Sequence, residues 1–203
     1  MAKPQLPVGG KVGKAWKITS PFGWRIHPIE KFKKHHNGVD IWGPKPKLVI
    51  MSWHDGRVIA AGTSKLKNAD GSLGGVGWYV DVRSKIDGKW FVARYAHLVP
   101  NSLMVTKGQK IEAGTALGLM GTSGASTGKH LHFEICAGKV HRWTSNGKGF
   151  VDPLKFVKST IKTWELNQSI KQTTAEDVVN PAPIHESAPT PNTPSQASKV
   201  KKS

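Results

Sequence analysis

With 203 residues, 37% of them hydrophobic, the chain suffices for one globular domain of ordinary size plus some unstructured sequence, and is too short for a second full domain. A single cysteine, Cys136, excludes an intrachain disulfide, so the fold rests on its core and on any metal it holds, and an oxidising compartment is not required. Lys and Arg number 30 against 13 Asp and Glu; because basic and acidic residues cancel from Glu165 to Ser203, the whole formal charge of +17 lies on residues 1–164, where it would concentrate nucleic acid, teichoic acids, anionic lipid or a carboxylate-rich cell wall without choosing among them.

Glycine (22) and proline (13) scattered among short Val/Ile/Trp/Tyr-rich runs predict a β-rich fold with many turns. The opening MAKPQLPVGGKVGKAWK has two early prolines and lacks the apolar run of about seven residues that a secretory leader needs, so no signal peptide is expected. No segment approaches the roughly 20 apolar residues of a membrane span. A strand is expected from about Val12 to Thr19, followed by the turn-rich SPFGWRIHP of residues 20–28. LVIMSW (48–53) and RVIAA (57–61) flank Asp55-Gly56, which predicts a hairpin. Residues 62–77, with five glycines, predict a long loop or lid. WYVDVRS (78–84) alternates, Asp87-Gly88 turns, and KWFVARYAHL (89–98) returns as the paired strand. Short strands are expected around Leu103–Val105, Gln109–Ile111 and Ala116–Met120, then the glycine-rich GTSGASTG, then a last strand, HLHFEICA (130–137). Together these imply a mostly antiparallel sheet with loops collected at one edge. VDPLKFVKSTIKTWELNQSIK (151–171) predicts a short helix after Pro153. From about Thr173 the Pro/Ser/Thr/Asn/Ala composition offers no buried surface to offset the entropy of ordering, which predicts a disordered tail.

Three histidine sites stand out among the nine: HHNGVD (35–40), YAHL (95–98) and HLHFE (130–134). In a strand His130 and His132 share one face while Leu131 and Phe133 take the other. His36 and Asp40 lie four apart across Asn37-Gly38, a dipeptide that turns the chain and can bring both side chains together. Two imidazoles and a carboxylate make a three-ligand zinc set with a fourth position open. The residues alone leave two other readings standing: a His/Asp pair at a surface turn, and a hydrogen-bonded histidine pair on a strand. His35 competes with His36, although the spacing to Asp40 favours His36. Glu134 shares the face of the two histidines and is expected to support them; Cys136 is expected to be a packed thiol. The GTSGASTG loop lacks the Gly-Lys-Ser/Thr ending of a phosphate cradle and precedes a strand, so no nucleotide site is expected.

In the order FGWRIHP, HNGVDI, GRV, RYAHL, VTKGQKIEAGTALGLMGTSGASTGKHLHFEI and VDP, the chain resembles the lysostaphin-type (LytM-like) peptidoglycan metalloendopeptidases from about Ile18 to Pro153. The resemblance implies an all-β, mostly antiparallel fold, a barrel-sandwich hybrid of the duplicated-hybrid-motif type with a loop-lined groove. It implies Zn2+ on His36, Asp40 and His132, with His97 and His130 as catalytic histidines whose separate roles stay open. It divides the chain into a lead-in (1–17), the metalloendopeptidase domain (18–153), a short extension (154–172) and the tail (173–203). Two departures are visible: Lys129 where the family usually has proline, and GPKPKLVI after HNGVDI where it commonly has a small-residue turn. The expected activity is hydrolysis of peptide bonds in peptidoglycan, in cross-bridges or stem peptides, by a monomer acting on the wall and its anionic polymers. Without an export signal, a phage lysin or virion-borne enzyme is the expected setting. A noncatalytic wall-binding or amidase-activating relative would have lost ligands that are all present here. A basic nucleic-acid-binding protein would explain the charge but not the ordered histidines, and no nucleic-acid partner is expected.

Overall fold

The structure, a computed structural model, describes residues 1–9, 15–26 and 31–179, with only the backbone for 170–179. The start of the strand expected from Val12, the His27 position and the expected tail beyond residue 179 lie outside the described residues. In chain order the described residues form β1 (Lys17–Ser20), β2 (Gly23–Ile26), β3 (Lys33–His36), β4 (Gly38–Trp42), β5 (Val49–Met51), β6 (Gly56–Thr63), β7 (Trp78–Ile86), β8 (Lys89–Leu98), β9 (Lys110–Ile111), β10 (Ala116–Leu119), β11 (Leu131–Ala137), β12 (Phe150–Val151) and α1 (Pro153–Val179).

The large sheet has the order β1-β4-β11-β8-β7-β6-β9, with β12 added on β11, and its pairings are antiparallel. β5 pairs with β10, and β2 with β3, in two small sheets. The core draws on one face of the large sheet (Val80, Val82, Tyr95, Phe133, Ile135), on Ile50 and Leu117 of the β5–β10 pair, and on Trp53. Tyr95 is fully buried, and its hydroxyl accepts the Trp53 N–H at 2.9 Å, so its polar end is satisfied inside the core. The all-β expectation holds.

Asp87-Gly88 forms the expected hairpin between β7 and β8, with both residues at positive φ (46° and 78°) as a two-residue primed turn requires. Asp55-Gly56 does not form one: β5 pairs with β10 and β6 with β7 and β9. Asp55 is held instead by the N–H groups of Ala2 (3.0 Å) and Ala113 (2.9 Å), which turns the chain from one sheet to the other. Gly56 is required by crowding, because a Cβ there would lie 2.6 Å from the Arg83 carbonyl oxygen. Residues 103–105 form no strand; only the Met104 N–H reaches across, to Leu117 O.

The expected lead-in is built into the domain. Met51 N–H donates to Pro7 O at 3.0 Å, Gln5 N–H to Trp53 O at 2.9 Å, and Val8 is buried beside Ile50. At the other end, the Asp152 carboxylate accepts the N–H groups of Leu154 (3.1 Å) and Lys155 (3.2 Å), and Pro153 fills the first helical position, where it lacks no bond. The first turns of α1 place Val157 in the core and Phe156 against Trp53 and Phe91. At 27 residues α1 is longer than the short helix expected, and about its last two turns enter the stretch read as tail. The chain divides into two units, Met1–Leu166 and Asn167–Ser203; of the second, only the helix end to Val179 is described.

Removal of residues after Lys171 should therefore leave the melting temperature within a degree or two, whereas Val157→Ala should cost about 2 kcal/mol, as large-to-small core changes do. Thermal melts of both variants check this, and a large drop on truncation would show that the helix end supports the domain.

Candidate metal centre

β4 and β11 are neighbours, and their register sets Asp40 directly opposite His132. His36 ends β3; the chain then crosses into the large sheet at Asn37, whose side-chain amide donates to Thr144 O at 2.7 Å. Gly38 works differently from the turn expected of Asn37-Gly38: it passes so close to β11 that a Cβ would lie 2.5 Å from Phe133 O and 3.0 Å from Cε1 of His132. This close approach closes the site. One ligand atom each from His36, Asp40 and His132 lies within 4.8 Å of the others. His36 Nε2 is 3.1 Å from His132 Nδ1, and Asp40 Oδ1 is 3.0 Å from His132 Nδ1 and 3.2 Å from His36 Nε2.

The partners on the far side of each ring fix what these atoms offer. His36 Nδ1 lies 2.8 Å from Pro21 O, a carbonyl that only accepts, so the ring hydrogen sits on Nδ1 and Nε2 keeps its lone pair. His132 Nε2 lies 3.2 Å from the Glu134 carboxylate, which likewise places the hydrogen there and frees Nδ1. Three electron-pair donors thus converge with no hydrogen among them, and the arrangement calls for a cation. A proton answers that demand in part. His132 is pushed up to about 9: burial opposes its charged form, but hydrogen bonds to Asp40 and Glu134 prevail. A two-nitrogen, one-oxygen set answers it fully with a divalent ion, and it suits zinc.

Glu134 is itself buried. Burial disfavours its charge, yet the hydrogen bonds from His132 and His141 hold its carboxyl well below the usual range. His141 Nε2 donates to it at 2.6 Å, and Arg94 stands 3.7 Å away while gripping Asp81 through two 2.8 Å bonds. The sequence reading assigned His141 no role and did not single out Arg94 or Asp81. The only local signal was Glu134 two residues from His132; the rest depends on which strands become neighbours. Asp40 also ionises well below the usual range, where bonds from His132 and His36 outweigh burial.

His97 reaches the site through a β-bulge. By strict alternation it would follow Tyr95 into the core, but between the pairs Trp78↔Leu98 and Val80↔Tyr95 the register slips and His97 takes φ 60°. Its ring then lies 4.8 Å from that of His130 and 6.0 Å from that of His132. His97 Nδ1 donates to Ser123 O at 2.7 Å and His130 Nδ1 to Gly128 O at 2.7 Å, so each neutral ring presents an Nε2 lone pair, His130's at 3.6 Å from Asp40 Oδ1. Burial first, then the neighbouring His132 and His130, push His97 down to about 4. The GTSGASTG loop thus orients histidines. It is locked to the 62–77 loop, since a Cβ on Gly77 would meet Ser123 O at 2.3 Å and one on Gly124 would meet Gly77 N at 2.4 Å.

These groups line a cleft of about 420 Å3 together with Arg25, His35, Leu66, Val76 and Trp143. His35 stays outside the donor trio, bonded to Asn37 at 2.9 Å and set edge-on against Phe22 and Trp24. Cys136 packs with Val92 and Phe150, away from the trio. The two departures noted in the sequence touch: Lys129 Nζ donates to the Lys45 carbonyl.

Residues 34–146 match the sequence profile of peptidase family M23. The chain is 34% identical over 125 residues to peptidoglycan DD-endopeptidase ShyA of Vibrio cholerae, covering 61% of this chain and 26% of that protein. It is 32% identical over 155 residues to the DD-carboxypeptidase/endopeptidase Mpg of Neisseria meningitidis, covering 76% and 30%. It thus spans about a quarter to a third of the length of these curated relatives. Among solved structures, the catalytic domain of lysostaphin from Staphylococcus simulans shares the fold, with a TM-score of 0.55 at 24% identity over 70% of this chain and 92% of that one. A zinc-containing peptidase from Vibrio cholerae superposes with a TM-score of 0.54 at 27% identity, covering 75% and 39%.

Metal must displace the proton that His132 carries below about 9, so zinc affinity should rise about tenfold per pH unit between 6.5 and 9. Competition titrations with a chelator check this; a flat profile would mean that His132 is not a ligand. In the metal-free protein the sign is opposite for stability: a raised histidine stabilises fully below its unfolded value of 6.5, and the gain is lost as pH climbs through about 9. Chelated protein should accordingly melt lower at pH 9 than at pH 6.5.

Proposed function

The chain belongs to peptidase family M23, and from that premise we propose that it is a zinc-dependent endopeptidase hydrolysing peptide bonds of bacterial peptidoglycan. The observation that carries the proposal is the convergence of three lone-pair donors, His36 Nε2, His132 Nδ1 and Asp40 Oδ1, on the floor of a cleft beside two more histidines. The activities named for the Vibrio and Neisseria relatives support the choice of substrate.

Zinc, when bound by these three residues, supplies a Lewis acid that polarises the scissile carbonyl and lowers the pKa of water to about 7. The remaining chemistry falls to the side chains. His97, pushed down to about 4, is neutral at working pH, so its Nε2 takes the proton that attacking water gives up as its oxygen bonds to the carbonyl carbon. That proton passes to the amide nitrogen as the C–N bond breaks. His130, whose Nδ1–H stays on Gly128 O, can donate from Nε2 only as an imidazolium, and in that form it hydrogen-bonds the oxygen on which negative charge builds. The carbonyls of Ser123 and Gly128 hold both rings in register for these transfers. Glu134 keeps His132 in the tautomer that points Nδ1 at the metal.

The delivery route is a separate proposal, a phage lysin or virion-borne enzyme. Mass spectrometry of purified virions and of lysates tests it, and absence from both would sink it.

Digestion of purified peptidoglycans should release new amino termini, identified by mass spectrometry; metal-loaded protein that opens no peptide bond in any wall type would overturn the reading. His97→Ala and His130→Ala should keep about one zinc per chain while kcat falls about 100-fold or more, whereas Asp40→Ala and His132→Ala should lose zinc and activity together. Elemental analysis beside turnover distinguishes the two classes. Raising salt should slow digestion of whole walls far more than that of a small neutral peptide, because at 0.15 M the Debye length is about 8 Å and long-range attraction is screened while cleft chemistry is not. Equal inhibition of both substrates would remove steering as the role of the charge.

A further inference from the structure

The face of the large sheet that carries the metal centre continues away from it in one cross-strand row: Cys136 opposite Val92, Val92 opposite Arg83, Arg83 opposite Arg57, Arg57 opposite Lys110. Partners in such a row project from the same face, so the last three place cations on three consecutive strands, spaced about 4.8 Å apart. Lys85 adds a fourth on the same face, two residues after Arg83. Like charges directly opposite each other destabilise a sheet, and nothing nearby relieves them. Among the described residues none of the four makes an ion pair, and the acid on this face of β7, Asp81, is already gripped by Arg94. Three of the four cations are also held in place. Arg83 lies 5.2 Å and Lys85 5.8 Å from the Trp90 ring, Arg57 donates to Gly108 O at 2.6 Å, and the buried Nε of Arg83 has no partner. A pre-positioned row of cations loses little freedom on meeting an anion.

We propose that Lys110, Arg57 and Arg83, with Lys85, form a docking ladder for a linear phosphodiester polymer of polyol or sugar units in the cell wall. The choice of a wall polymer rests on the proposed function; the ladder itself does not. Charges in a line match a chain bearing one anion per repeat, and guanidinium forks match phosphate oxygens. The row lies two to four strand positions from β11 and meets it four residues along from His132, roughly 16–23 Å from the metal centre, near enough for a tethered wall to present peptides to the cleft. Single-stranded nucleic acid is the weaker match, because it binds through free aromatic platforms and the ring in this patch, Trp90, is engaged by Arg83 and Lys85.

The test uses the full chain and three probes at matched anion concentration: poly(glycerol phosphate), a single-stranded oligonucleotide and polyglutamate. Poly(glycerol phosphate) should bind tightest. The triple variant R57Q/R83Q/K110Q should bind it at least tenfold more weakly and with a shallower dependence on salt. It should melt no lower than the parent and cleave a small soluble peptide at the parent rate. A control of equal charge loss on the helix, K155Q/K158Q/K162Q, should retain binding. Unchanged binding by the ladder variant, or equal loss in the control, overturns the ladder. Tighter binding of the oligonucleotide or polyglutamate through the same residues overturns the partner. Protein that binds the polymer through these residues yet cleaves no peptidoglycan supports the ladder and removes the endopeptidase reading alone.

Discussion

One buried hydrogen bond, from His132 Nε2 to the Glu134 carboxylate, governs the site. Without an acceptor at that position a neutral His132 could carry its hydrogen on Nδ1, where it would bond Asp40 and leave no lone pair for a cation. With it, Nδ1 keeps a lone pair aimed at the same point as His36 Nε2 and Asp40 Oδ1. A carboxylate as deeply buried as Glu134 must be compensated or it protonates and loses this hold. His141 and Arg94 supply the compensation, and Arg94 is in turn neutralised by Asp81 on the next strand. The tautomer of His132 is therefore set by groups on three neighbouring strands, β11, β8 and β7, and by His141, and not by the His-x-His sequence alone.

The same sheet sets the second pair of histidines, by a different device. Regular pairing keeps Tyr95 in the core and Ala96 opposite His132, and leaves no way for residue 97 to face the donor trio. The bulge supplies it at the cost of a left-handed backbone on a histidine, a conformation held because the flanking bonds over-determine it: His97 N–H to Val76 O, Val99 N–H to Leu119 O and the ring to Ser123 O. Strain of this kind persists where the site needs the side chain re-aimed. Gly121 makes room for it, since a Cβ there would fall 2.9 Å from His97 O.

What the sequence made legible follows from how local each signal is. Alternation places His130 and His132 together, Asp87-Gly88 names its own turn type, and both hold in the structure. Asp55-Gly56 carries the same two letters yet serves a corner, because Ala2 and Ala113, remote in sequence, bind its carboxylate. His97 defeats alternation through its bulge. His141 and Arg94 matter only through Glu134, which no spacing rule connects to them. The first nine residues looked like a lead-in because isolated prolines and a valine give no period, but they acquire partners in β5 and Trp53 once the domain closes.

Charge is distributed with the same economy of position. At the donor trio the acids and their neighbouring arginines are paired: Asp40 with the histidines and Arg25, Glu134 with His132 and His141, Arg94 with Asp81. Two to four strands away the row Arg83–Arg57–Lys110 has none among the described residues. A site whose chemistry depends on tautomers and on a histidine kept neutral cannot tolerate unbalanced fields close by, since a nearby charge shifts a pKa far more than a distant, screened one. Placing the unpaired cations on the outlying strands of the same face resolves the conflict: they attract a polyanion at long range and leave the protonation of the cleft to its own paired groups.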